Sequence, residues 1–106
     1  MNEAVREVLA RLKHGLSELY GERLKGVYVF GSHARGEADE ESDVDVLIVL
    51  DRVDNYSKEI AHTSELVAQL SLECDRSISR VFVSEQRWRE DQTMFFLNVR
   101  EEALPA

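Results

Sequence analysis

The chain is poor in several things, and each shortage excludes a class of protein. Cys74 is the only cysteine, so no internal disulfide can form and a reducing compartment is expected. Pro105 is the only proline, and it lies beyond the last expected helix. No apolar run approaches the ~20 residues that span a bilayer. The amphipathic, charged N-terminal stretch lacks the apolar centre of a signal peptide. Those readings give a cytoplasmic protein with no membrane partner. Positive charge is also scarce: 13 Lys and Arg stand against 21 Asp and Glu, a net charge of −8. Affinity for nucleic acid comes mainly from cations on phosphates, so no direct nucleic-acid binding is expected. A small molecule or a basic protein surface is the better partner. No Ser-His-Asp or Cys-His spacing suggests a hydrolase.

What is present suits one compact unit. At 106 residues, with 43% hydrophobic and 32% charged residues, residues 1–106 read as a single domain with a single core. Apolar residues at 5, 8, 9, 12, 16 and 19 predict a helix over 2–20, with Asn2 as cap and Gly21 as stop. Residues 24–30 form a short β-rich run, 36–41 an acidic polar loop and 44–50 a second strand. A helix is expected over 55–74, with Ile60, Val67, Leu70 and Cys74 on one side. A third strand follows over 78–83. Ser84 suits the cap of a short helix, and 93–102 a last one. The order α-β-β-α-β-α-α predicts an α+β fold: a small mixed β-sheet with helices packed on one face.

The informative segment runs Gly31-Ser32-His33-Ala34-Arg35-Gly36, then Ser42-Asp43-Val44-Asp45 and an apolar strand. Asp43 and Asp45 are two apart, so an extended chain points both to one side. Two aligned carboxylates at the mouth of a buried strand suit a divalent metal, because hard cations take carboxylate oxygens. Gly31 adopts backbone angles closed to other residues and lets a phosphate approach the main chain. Ser32 adds a hydroxyl and an N–H, and the residues after it can open a helical turn that favours anions. Metal on one side and phosphate on the other is the layout of phosphoryl or nucleotidyl transfer. Arg35 can reach a phosphate, or pair at the surface with Glu37 or Asp39. Ser42 is expected to shape the loop, and His33 to be a solvated loop residue. Of the apolar triplet Phe95-Phe96-Leu97, a helix can bury only part.

These motifs strongly resemble the minimal nucleotidyltransferases, small members of the DNA polymerase beta-like nucleotidyltransferase superfamily. The motif itself covers residues 31–45. The resemblance implies a nucleotidyltransferase-like fold in which Gly31 and Ser32 bind a nucleoside triphosphate, here expected to be ATP, and Asp43 and Asp45 hold Mg²⁺. It implies Mg²⁺-dependent transfer of a nucleoside monophosphate, expected to be AMP, to a hydroxyl. It also implies a role as the antitoxin of a two-gene pair, modifying or masking a helical HEPN-type ribonuclease partner. A chain this short has little room for its own acceptor-binding domain, which favours an acceptor on a partner. A homo-oligomer is left open. The family places a third carboxylate on the strand after the middle helix. Here that position falls near Ser79, with Asp75 and Glu73 just before the strand as substitutes. A missing third acid implies slow catalysis, and with it the rival reading of a binding module that only masks its toxin.

Overall fold

The computed structural model describes residues 1–106. The order is α1 (Glu3–Tyr20), a 3₁₀ turn (Gly21–Arg23), β1 (Leu24–Phe30), α2 (Ser32–Arg35), β2 (Val44–Leu50), α3 (Tyr56–Cys74), β3 (Ile78–Ser84), α4 (Glu85–Glu90), α5 (Met94–Glu102) and β4 (Leu104–Pro105). The four strands make one sheet in the order β3-β2-β1-β4. β1 is antiparallel to β2 and to β4, whereas β2 and β3 run parallel. The sheet is therefore mixed and the fold α+β, as expected.

Local chemistry sets the element ends. Asn2 Oδ1 accepts the Ala4 N–H at 2.7 Å, which caps α1, and Gly21 closes it. Asn55 caps α3 through the Lys58 N–H, and Ser84 caps α4 through the Arg87 N–H. Asp75 ends α3 in the left-handed region at φ 52°, a conformation that Asp tolerates better than most residues.

β2 is the centre of the molecule. Every residue from Val46 to Leu50 is buried, as a strand covered on both faces must be. Val44, Val46, Ile48 and Leu50 face a large cluster with Val27 and Val29 of β1, Val5 to Leu16 of α1, and Val67 and Leu70 of α3. Leu47 and Val49 face the other way, onto Val83, Phe96 and Val99. Burying each large aliphatic side chain contributes about 1.5–3 kcal/mol. Buried Glu59 links α1 and α3, accepting the Tyr20 hydroxyl at 3.0 Å and Arg23 at 3.1 Å.

One detail of the expected architecture needs correction. The two long helices pack together on one face, but the second apolar face is covered too, by α5 and by Trp88 of α4 stacked on Tyr28. The cause is the alternation of β2, which carries apolar residues on both sides. Within α5, Phe96 is 5% exposed and joins this core, while Phe95 at 46% and Leu97 at 40% remain at the surface. The two-residue β4 was not visible as a strand in the sequence.

Candidate active site

The antiparallel pairing of β1 and β2 builds the site. Phe30, the last residue of β1, lies opposite Asp45. The turn that follows Phe30 is thereby set beside the Asp45 side chain. Gly31 takes φ 74°, ψ −153°, a region that is essentially glycine-only. Space gives a second reason for glycine. A Cβ at position 31 would lie 2.3 Å from Asp45 Oδ2, so the carboxylate packs directly against the Gly31 Cα. The expected reason was phosphate approach; the nearest demand comes instead from the neighbouring acid.

Ser32 opens α2, which is one turn long and ends at Gly36 in the left-handed region. His33 in that turn is 4% exposed, which corrects the expected solvated loop histidine. Its Nε2 lies 3.3 Å from the Ser42 carbonyl. A carbonyl only accepts, so Nε2 carries the proton. His33 thus ties the glycine turn to the residue just before Asp43. Ser42 shapes the loop as expected: its hydroxyl bonds Asp39 Oδ1 and accepts the Asp39 N–H.

Asp43 is exposed one residue before β2, and Asp45 is half-buried. The Asp45 carboxyl is held above its ordinary range, first by burial and next by the charge of Asp43. His33 and Arg35 oppose that effect, and Glu102 adds to it. A half-buried carboxyl whose ionisation is disfavoured by burial and by a neighbouring acid is a fit partner for a divalent cation, which would neutralise both acids. No third His, Cys, Asp or Glu joins them to complete a three-sided metal group.

The parallel register pairs Asp45 with Ser79 on β3. Position 79 therefore neighbours Asp45 and carries a hydroxyl. Asp75 is occupied in ending α3, and Glu73 pairs with Arg11. Neither reaches a cluster with Asp43 and Asp45.

Gly31, Ser32, Arg35 and Asp45 line one open cleft of about 460 Å³, together with Phe95, Asn98 and Glu102 of α5. Arg35 lines this cleft and also makes a surface pair: its Nε donates to Glu37 at 2.8 Å and its Nη1 to Glu102 at 3.0 Å. Asp39, the other expected partner, bonds Ser42 instead. Sequence reasoning missed Glu102 altogether. Nothing in its neighbourhood signals a site, and it is 71 residues from Gly31 in sequence.

A glycine turn, an arginine and Asp45 around one cleft, with Asp43 two residues away on the same strand entry, suit the chemistry of a phosphate-handling transferase. The family resolves which kind. The model of the nucleotidyltransferase domain matches residues 9–96, and the chain belongs to that family. It is a nucleotidyltransferase. Protein adenylyltransferase MntA of Thermococcus cleftensis is 40% identical over 73 residues, 69% of this chain and 72% of the relative. A Methanocaldococcus jannaschii chain, provisionally named a protein adenylyltransferase, is 35% identical over 105 residues, covering 96% of this chain and 95% of its own. Among solved structures, a toxin–antitoxin complex with AMP-PNP has a similar fold. Its TM-score is 0.60 at 22% identity, covering 89% of this chain and 68% of that one. No helix here is long and apolar enough to cross a membrane.

Proposed function

We propose that this chain transfers AMP from ATP to a hydroxyl on a partner protein, with Asp43 and Asp45 holding Mg²⁺ and Gly31, Ser32 and Arg35 receiving the triphosphate. The observation that carries this reading is the contact between the Asp45 carboxylate and the Gly31 Cα. It gives the anion-binding turn and the cation-binding acids a common wall.

Each residue has a stated task. The Gly31 N–H and the Arg35 guanidinium are donors facing the cleft, suited to phosphate oxygens. Ser32 adds a neutral donor beside them. Asp43 and Asp45 supply hard oxygen ligands, and Mg²⁺ bound there would offset the charge of the triphosphate and of the departing pyrophosphate. His33 keeps the turn and the acids at a fixed spacing. Positioning with charge neutralisation is most of what such a transfer requires. A partner supplies the acceptor because the cleft is open and the domain small. The toxin–antitoxin complex of similar fold supports a toxin as that partner, and the family resemblance of the Gly31–Asp45 motif leads us to take it as a helical HEPN-type ribonuclease in the cytoplasm.

The test is label transfer from [α-³²P]ATP to the cognate partner with Mg²⁺, then with EDTA, then with the Asp43→Asn/Asp45→Asn double variant. Label should move only in the first case. Equal labelling in EDTA would place the chemistry elsewhere.

The hydroxyl at position 79 favours a second reading. With no acid beside Asp45 on β3, the chain acts as a slow enzyme whose main effect is to mask the toxin. The net charge of −8 suits a basic ribonuclease surface. Toxin inhibition that survives the double Asn substitution would favour masking over modification.

A further inference from the structure

The Gly31 turn is already engaged by an anion. Glu102 Oε1 accepts the Gly31 N–H at 3.4 Å, and Glu102 Oε2 accepts Arg35 Nη1 at 3.0 Å. One carboxylate thus bridges a main-chain donor of the turn and the only arginine lining the cleft. These are the donors that a phosphate oxygen would use. Glu102 lies at the end of α5, across the cleft from Ser32, and its side chain is about a quarter exposed. It belongs to no metal-binding group with Asp43 and Asp45; it sits on the anion side of the site.

We propose that Glu102 is an internal competitor for the phosphate cradle. In the free protein it holds the place of a phosphate oxygen, and a triphosphate binds by displacing it. The proposal rests on the reading that Gly31 and Arg35 receive the triphosphate, and it adds a residue that sets the threshold for entry. Glu102 and a phosphate oxygen compete here: the Gly31 N–H is a single donor already given to Glu102, and like charges at hydrogen-bond spacing repel. A ligand must therefore bring enough charge, neutralised by metal, to win both donors back. A lone phosphate offers one anionic group for that exchange, whereas a metal–triphosphate offers several. Competition of this kind raises selectivity for the full triphosphate and keeps the cradle closed to common monoanions.

The experiment measures binding by calorimetry with two probes, Mg-ATP and Mg-tripolyphosphate. The second contains the phosphates alone. The proteins are wild type, Glu102→Gln, Glu102→Ala and Glu101→Gln. Glu101 is the exposed neighbour on α5 and has no bond to the turn. Glu102→Gln and Glu102→Ala should both bind each probe about tenfold more tightly than wild type, the value of one charge-assisted hydrogen bond no longer to be broken. Glu101→Gln should stay near wild type. Unchanged or weaker binding in both Glu102 variants would overturn the proposal, and would mark Glu102 as a support that holds Arg35 for the nucleotide. A gain in Glu101→Gln equal to that of Glu102→Gln would overturn it as well, since a general field would then suffice. If Mg-ATP binds wild type but tripolyphosphate binds no variant, the cradle reading fails at its base. Normal binding by wild type with no gain in the variants removes Glu102's role alone and leaves the function standing.

Discussion

Gly31→Ala tests the site's geometry and the fold together. Two separate costs can be read from the structure. The first is backbone: φ 74° with ψ −153° is a glycine region, and holding alanine there costs about 1–3 kcal/mol. The second is contact: the new Cβ would meet Asp45 Oδ2 at 2.3 Å, so the acid must turn away or β1 and β2 must part. Overpacking of that kind costs about 1–3 kcal/mol. The sum is about 2–6 kcal/mol, or roughly 10–30 °C in Tm for a domain of this size. Gly36→Ala is the control. Gly36 also has φ 74°, but a Cβ there meets nothing within 4 Å, so only about 1–2 kcal/mol is expected. Thermal and urea unfolding of Gly31→Ala, Gly36→Ala, Asp45→Ala and the Gly31→Ala/Asp45→Ala pair complete the set. Removing Asp45 should recover the contact part alone, a coupling of about 1–3 kcal/mol between positions 31 and 45. If Gly31→Ala costs the same with and without Asp45, the carboxylate does not rest on the turn and the common wall is lost.

Three further outcomes follow from the same residues. Because burial and Asp43 hold the Asp45 carboxyl above its usual 3.8, the folded state retains that proton more tightly than the unfolded state. Its stabilising effect is full below pH 3.8 and is lost as pH rises through the higher folded value; Asp45→Asn should therefore raise Tm at pH 7 and lose that gain near pH 3, whereas a gain independent of pH would deny the burial effect. Ser32→Ala should weaken Mg-ATP binding by about 0.5–1.5 kcal/mol, one neutral hydrogen bond, and less than Gly31→Ala does; calorimetry giving the reverse ranking would argue against a cradle lined by main chain. Ser79→Asp places an acid opposite Asp45 in the parallel register and should raise the rate of label transfer severalfold; if a robust wild-type rate does not change, two carboxylates are sufficient.

Local signals made much of this molecule legible. Helix caps at Asn2 and Ser84, and strands over 24–30 and 44–50, follow from residue type and period within a short window. The site core was legible for the same reason, since Gly31, Ser32 and Asp45 are brought together by one pair of adjacent strands. The pairing of Ser79 with Asp45 follows from a parallel register, in which a period of two leaves few alternatives. What failed was long-range. Burial of His33 depends on Ser42 returning across the loop. The second apolar face depends on where α5 lands. Glu102 reaches Gly31 only through the complete fold, and no periodicity encodes that meeting. Pro105 read as the end of structure, yet proline suits an edge strand such as β4, where one side needs no donor.

The pairing of Phe30 with Asp45 has a consequence for how this protein can diverge. The gap between the turn and the acids is set by the sheet and by the His33–Ser42 tie, not by the number of residues between them. The segment from Glu37 to Glu41 leaves and returns at anchored points, with Asp39 bonded to Ser42 and to Arg76 along the way. Doubling such a loop costs only about 0.6 kcal/mol in closure entropy. Its length and charge can therefore drift while the reacting centre stays still. That loop is then a region whose length and charge can be retuned by insertion as readily as by substitution.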